Sequence, residues 1–255
     1  MCGRYTLTRP GAVVDEAAES LGTESLGTES LGTESLGTVS LEREPGVGGG
    51  VDELSELLAR PRFNVAPSER MPVVLGRSDE GEAWRAPTVG VASWGLPAVG
   101  GRGAPSINAR SETAATLATF SGAFARRRCL VPADGFYEWR AKQPYRFVVD
   151  GGRGFCFAGL WSESPDERSF CILTTAANET VAPVYDRMPV ILRGLGLAQW
   201  LDPEATRGDL EGLCRPLPPD EISSYPVSPR VNRAGADEPS MIEPVAPPAE
   251  NLSLF

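Results

Sequence analysis

The 255-residue chain contains no histidine. That removes the commonest metal ligand and the one side chain whose ordinary pKa lies near neutrality, so acid–base chemistry must come from a carboxylate, a thiol, a tyrosine or the amino terminus. Lysine is almost missing too: of 24 basic residues, Lys142 is the only lysine and the others are arginine. The five cysteines, Cys2, Cys129, Cys156, Cys171 and Cys214, are odd in number and scattered, with no C-x-x-C pair. A disulfide framework or a zinc site is therefore not expected, and neither is any other metal or cofactor. No run approaches the roughly 20 apolar residues of a bilayer span, and the beginning of the chain lacks the basic and apolar regions of a signal peptide. No membrane association is expected, and the cytoplasm is the expected location.

At 41% hydrophobic residues the chain can bury an ample core, and no linker separates halves with apolar patterns of their own. One domain over residues 2–244 is the reading, followed by a Pro-rich tail over 245–255. The formal charge of −10 with almost no lysine suggests a high-GC genome and a saline cytoplasm in which carboxylates keep the surface hydrated. Net negative charge argues weakly against nucleic-acid binding, but partners read local patches rather than the sum.

Residues 19–38 hold four consecutive copies of Glu-Ser-Leu-Gly-Thr. A five-residue period with a glycine in each copy fits neither the helical nor the strand repeat, so residues 19–50 read as a low-complexity insertion. Val13, Val14, Ala17, Ala18 and Leu21 share a helical face before it, and Val51, Leu54, Leu57 and Leu58 share one after it. Beyond Pro61 the pattern changes to short apolar runs punctuated by Gly and Pro. Residues 71–75, 88–94, 128–131, 145–149, 154–160 and 170–174 read as strands, with a hairpin expected around Asp150-Gly151-Gly152. Helices are expected at 111–120, capped by Ser111, and at 195–201 and 204–213. Many strands with few helices predict an α+β domain with a curled, largely antiparallel, barrel-like sheet.

The start Met1-Cys2-Gly3-Arg4 carries the most chemistry. Initiator methionine is removed when the next side chain is small, which would leave Cys2 with its thiol and a free α-amine on one residue. That amine, with a reference pKa of about 7.7–8.0, condenses with aldehydes, and the thiol can close a five-membered thiazolidine. Alternatively the thiolate attacks an acyl carbon with the amine as local base, as in N-terminal nucleophile hydrolases. Four internal segments also place polar residues where sheet and turn residues would suffice. In Arg62-Phe63-Asn64-Val65-Ala66-Pro67 an extended run ends in proline. In Ile107-Asn108-Ala109-Arg110-Ser111-Glu112-Thr113 a helix start offers N–H groups to an anion. In Asp134-Gly135-Phe136-Tyr137-Glu138-Trp139 a turn precedes a carboxylate flanked by two aromatics, a setting that raises its pKa by dehydration unless strand alternation points it to solvent. In Tyr185-Asp186-Arg187-Met188-Pro189 a charged turn precedes an apolar strand.

These pieces, with Trp94-Gly95-Leu96 and Pro226-Val227-Ser228, occur in one order along the chain, and in that order the sequence resembles the SOS-response-associated peptidase (SRAP) family of abasic-site shielding proteins. The resemblance implies that Cys2, once exposed, captures the ring-opened aldehyde of an abasic site in single-stranded DNA and closes a thiazolidine crosslink. It implies that Asn108 positions the amino terminus and sugar and that Glu138 moves protons. It further implies that Arg4, Arg110 and Arg187 hold phosphates, with Asn64 and Trp94 completing the DNA-binding set. Arg126-Arg127-Arg128 extends the basic groove or is a solvated cluster. A monomer working at the nucleoid is expected. Two departures stand out. Tyr185 occupies the place where the family usually has histidine, and a phenol with a pKa of about 10 donates a hydrogen bond but is a poor base. After Pro97 the chain runs Ala98-Val99-Gly100-Gly101-Arg102-Gly103 without the family's aromatic wedge. The alternatives that remain are an N-terminal nucleophile amidohydrolase, a peptidase acting on its own amino terminus, and a non-catalytic DNA-binding module.

Overall fold

The computed structural model describes residues 2–21, 51–76, 87–98, 100, 103–165, 167–233 and 235–246. Most of the pentapeptide repeat, the centre of the Gly-rich segment after Pro97 and the end of the tail lie outside the described residues. The chain opens with β1 (Tyr5–Leu7), α1 (Pro10–Ser20) and α2 (Val51–Ala59), then β2 (Arg62–Val65), β3 (Arg70–Leu75), β4 (Thr88–Trp94) and β5 (Asn108–Arg110). Two short helices, α3 (Ser111–Ala114) and α4 (Ser121–Arg126), precede β6 (Arg128–Ala133), β7 (Gly135–Arg140), β8 (Gln143–Val149), β9 (Phe155–Glu163) and β10 (Arg168–Ala176). The remainder is β11 (Arg187–Pro189), β12 (Ile191–Leu192), α5 (Leu195–Leu201), α6 (Arg207–Leu213) and β13 (Ile222–Pro226), with short 3-10 turns around β13.

Five strands close on themselves. β10 pairs with β4, β4 with β3, β3 with β6, β6 with β9, and β9 returns to β10. Only the β10–β4 junction, Phe170 against Trp94, is parallel, so the expected curled and largely antiparallel sheet is a barrel. A second sheet, ordered β13-β8-β7-β1-β2, packs on it. Period-two alternation sorts the side chains, because successive residues of a strand face opposite ways. In β6, Cys129, Val131 and Ala133 join the core shared with the second sheet, where Tyr5, Leu7, Phe136 and Phe147 lie. Leu130 faces the other way, into a layer with Val14 and Ala17 of α1, Phe124 of α4 and Trp200 of α5. Strands buried on both faces read as unbroken apolar runs, and this is how β6 and β9 read in the sequence.

The chain crosses from barrel to second sheet at Asp134, which is 1% exposed. Its carboxylate accepts from the Thr6 hydroxyl at 2.6 Å and from the Thr8 amide and hydroxyl at 2.5 and 2.6 Å, and Arg146 donates to it at 3.3 Å. Next to it, a Cβ at Gly135 would stand 2.8 Å from both Arg146 Nε and Thr6 Oγ1, so the corner admits only glycine without displacement.

The hairpin expected around Asp150-Gly151-Gly152 does not form. All three residues take positive φ, as a tight turn requires. Yet β8 pairs with β7 and β13, whereas β9 pairs with β6, β10 and β12, so this turn carries the chain between sheets. The tight hairpin is β7–β8, with Arg140 opposite Gln143 and Ala141 at φ 56°; it lacks the Asn-Gly or Asp-Gly signal that marks such turns. The single helix expected over 111–120 is also corrected. α3 ends at Ala114, Ser111 lies inside it without capping, and a separate α4 begins at Ser121. The last helix starts later than expected, at Arg207, because Thr206 and Asp209 form a capping box.

Replacing Gly135 with alanine should destabilise the fold by about 1–3 kcal/mol through overpacking at the corner. Urea unfolding measures this, and a change within error of zero would show that Arg146 and Thr6 can yield.

Candidate active site

The amino-terminal strand is held on every side. The Tyr137 amide donates to the Arg4 carbonyl at 3.0 Å, and β1 lies between β2 and β7. Asn108 Nδ2, at the start of β5, donates to the Cys2 carbonyl at 2.9 Å. Because β5 runs parallel beside β10, with Asn108 aligned to Ile172, this bond ties the first residues of the second sheet to the barrel. Asn108 Oδ1 is buried without a hydrogen-bond partner among the described residues, leaving an acceptor beside Cys2. The Cys2 thiol, 1% exposed, approaches the Arg4 carbonyl at 3.7 Å. Burial, then the Glu138 charge, pushes its pKa well above the usual thiol value, against the weaker pull of the positive charge at the start of the chain. At neutral pH it is a thiol.

Glu138 is 2% exposed. Tyr137 and Trp139, the aromatics expected to flank it, are separated from it by strand alternation. Tyr137 and Trp139 turn to the far face of β7, where Tyr137 packs with Val227, Val231 and Met241, its hydroxyl donating to the Phe63 carbonyl at 2.7 Å. Glu138 shares the inner face with Phe136, which stacks on Phe147 at 5.0 Å. The dehydration is real, but it comes from the core beneath the strand. Burial raises the carboxyl from its usual 4.5 to about 7, against the pull of the positive charge at the start of the chain and with a small further push from Asp186.

Tyr185 is half-buried at the end of a loop that folds on itself. Asn178 Oδ1 accepts from the Thr180 and Val181 amides at 3.1 and 3.0 Å, and the Tyr185 amide donates to the Val181 carbonyl at 3.0 Å. Burial raises the Tyr185 pKa, followed by the charges of Asp186 and Glu138, while Arg110 and Arg187 oppose them. The phenol is therefore within electrostatic reach of Glu138 and stays protonated at neutral pH.

The arginines differ in kind. Arg110 is exposed. Arg187 is held by Glu112 through two bonds, at 2.6 and 2.9 Å, and by the Thr174 carbonyl at 2.6 Å. Arg4 donates to Asn64 Oδ1 at 3.0 Å and to the Val231 carbonyl at 3.1 Å. Asn64 is 2% exposed, and its amide donates to the Val231 and Ala236 carbonyls at 3.2 and 2.8 Å. Trp94 is fully buried, its indole N–H donating to the Ile107 carbonyl at 2.9 Å, one residue before Asn108. Neither Asn64 nor Trp94 offers a surface to DNA in this conformation; each braces a neighbour that stands closer to the site. Arg128, expected in a basic groove or a solvated cluster, is 4% exposed. It donates to the carbonyls of Phe124, Ala125, Trp200 and Asp202, and burial lowers its pKa to about 10. It is a structural strut. Glu112 carries no local signal of this role in the sequence, because its partner lies 75 residues away.

The site thus combines a cysteine at position 2, an amide that grips its backbone and a buried carboxyl that titrates near neutrality, all at the junction of a closed barrel and a second sheet. The profile of the SOS response associated peptidase (SRAP) family matches residues 1–234, and the chain belongs to that family. The Bacillus subtilis abasic site processing protein YoqW is 33% identical over 198 residues, covering 72% of this chain and 86% of that protein. The Escherichia coli abasic site processing protein YedK is 30% identical over 197 residues, covering 72% and 85%. The chicken abasic site processing protein HMCES is 30% identical over 226 residues, covering 73% and 67%. Among solved structures, a protein from Bacteroides thetaiotaomicron superposes with a TM-score of 0.68 at 19% identity, covering 96% of this chain and all of that one. It shares the fold. No helix among the described residues is long and apolar enough to cross a membrane.

Because the folded state raises the Glu138 pKa, that state binds the proton more tightly than the unfolded chain does. Stability should therefore fall as pH rises from about 4.5 to about 7 and then level off. Glu138→Gln removes this penalty. Its unfolding free energy should match wild type near pH 4 and exceed it by at most about 3 kcal/mol at pH 8. Melting curves across that range check this, and a pH-independent difference would contradict it.

Proposed function

We propose that this protein processes abasic sites in single-stranded DNA, trapping the ring-opened sugar on Cys2 after removal of Met1. The observation that carries the reading is the bond from Asn108 to the Cys2 carbonyl together with a buried Glu138 carboxyl of pKa about 7 whose charge reaches the Cys2 thiol. The names of the relatives, abasic site processing proteins, support the abasic site as the lesion.

The chemistry follows from these groups. The freed amine of Cys2, partly unprotonated near neutrality, adds to the sugar aldehyde to give a carbinolamine. Protonated Glu138 supplies the proton with which the hydroxyl leaves as water, and an iminium remains. The thiol then adds to the iminium carbon while the Glu138 carboxylate takes its proton, closing the thiazolidine. Aldehyde and aminothiol give thiazolidine and one water, with no oxidant or reductant. A group near pKa 7 serves both steps because both of its forms are populated. Acyl transfer fits less well, since it calls for a thiolate and burial keeps this thiol protonated. In aldehyde capture the amine attacks first, and the thiol is needed only after a strong electrophile has formed.

Arg110, Arg187 and Arg4 hold the phosphates flanking the lesion. Asn64 steadies Arg4, and Trp94 steadies the Ile107–Asn108 link. The protein acts as a monomer at the nucleoid and needs no cofactor. Tyr185 contributes a hydrogen-bond donor near Glu138, so capture proceeds, while strand cleavage or crosslink reversal that needs a base at this position is slow.

Incubation with single-stranded DNA carrying one abasic site should give a shifted band on a denaturing gel. Cys2→Ala should abolish it and Glu138→Gln should slow its appearance by about 10²-fold; a band that persists in Cys2→Ala would falsify the reading. Tyr185→His should leave capture within about twofold yet speed crosslink reversal at pH 7 roughly tenfold or more. Reversal rates unchanged in that variant would remove Tyr185 from the mechanism.

A further inference from the structure

Glu112 grips Arg187 end-on, with one guanidinium nitrogen to each carboxylate oxygen. The partners meet because β5 and β11 both pair with β10, with Arg110 aligned to Thr174 and Arg187 to Ala176. The Arg187 side chain is 12% exposed and that of Glu112 is 51% exposed, so the carboxylate lies on the solvent side of a nearly buried guanidinium. Arg187 also donates to the carbonyl and hydroxyl of Thr174. These sheet-side bonds do not involve Glu112. To a planar guanidinium fork, a carboxylate and a phosphodiester offer the same pair of acceptor oxygens.

We propose that Glu112 is an internal stand-in for a DNA phosphate, occupying the fork of Arg187 until a phosphate of the bound strand takes its place. This rests on the abasic-DNA reading above and deepens it. Exchange leaves the Thr174 bonds intact, so Arg187 meets the strand already oriented and sacrifices little side-chain freedom on binding. The released carboxylate turns to solvent at the helix start, where it repels the strand and attracts a cation. That trims both the affinity and the net ion release of the contact. Arg110, exposed on the same short strand end, has no comparable bidentate carboxylate partner among the described residues, so the two arginines grip DNA through different ion balances.

The test uses single-stranded DNA with a tetrahydrofuran abasic analogue, which lacks the aldehyde, so that equilibrium binding is read without covalent capture. Affinity is measured by anisotropy at several salt concentrations for wild type, Glu112→Gln, Arg187→Ala and the double variant. Glu112→Gln should bind about two- to fivefold more tightly at low salt. Its log affinity should fall more steeply with log salt, by about 0.7 in slope, the value of one added phosphate contact on a single strand. In the Arg187→Ala background the same change should do nothing. If Glu112 were only a strut, Glu112→Gln would bind more weakly with an unchanged or shallower slope, and that result overturns the proposal. Crosslinking of an authentic abasic strand separates the two readings. A wild-type protein that crosslinks while its salt slope ignores Glu112→Gln refutes phosphate exchange alone, and one that neither binds nor crosslinks refutes both.

Discussion

The placement of β1 inside a sheet, between β2 and β7, is the constraint on which the site depends. The first residues of a chain ordinarily fray, because ordering them costs conformational entropy that few contacts offset. Here Asp134 binds Thr6 and Thr8, Asn64 binds Arg4, and Asn108 binds the Cys2 carbonyl. The ordering of Cys2 is therefore achieved in folding, and the capture proposed above would begin from a residue that has no further freedom to lose. Gly135 matters for the same reason: only a residue without a Cβ lets Arg146 and Thr6 close on the corner that positions β1.

The absence of histidine gives burial its chemical meaning. A carboxyl in water is too weak a base and too scarce an acid at pH 7 to serve both halves of a dehydration and ring closure. Moving it onto the core face of β7 raises its pKa to about 7 and supplies the missing titration. The same low-polarity surroundings keep the Cys2 thiol protonated. The two groups therefore place opposite demands on one proton, and the order of steps proposed above follows from that competition.

Arginine carries nearly all the positive charge, and the fold sorts it by function. Arg128 is consumed by four backbone carbonyls, Arg62 pairs with Glu69 and Asp237, and Arg187 is bridged by Glu112. A planar fork with five donors can satisfy several acceptors at once, which an ammonium group does less well at a fixed geometry. In sequence these arginines look alike, and Arg126-Arg127-Arg128 looks like the strongest basic cluster. Its last member is nonetheless the most deeply buried, because it closes the gap between α4 and α5.

Local patterning was enough for the strands of the barrel, for α1, α2 and α5, and for the curled antiparallel character of the sheet, because alternation and apolar run length report burial directly. The motif residues Cys2, Asn108 and Glu138 were legible as chemistry-bearing types. What stood outside the sequence were relations between distant segments. The Asp150-Gly151-Gly152 turn has hairpin chemistry, but turn residues specify backbone angles and not which strand lies alongside. The dehydration of Glu138 was foreseen with the wrong neighbours, since adjacent residues of a strand point apart. Asn64 and Trp94 were recognisable as important but not as buried braces, and the Glu112–Arg187 bridge had no trace at all. The sequence by itself determined the inventory of reactive groups and the local geometry of each element; the tertiary structure alone decided which groups share a buried face, because pKa shifts and ion pairs arise from proximity in space that short-range patterns do not encode.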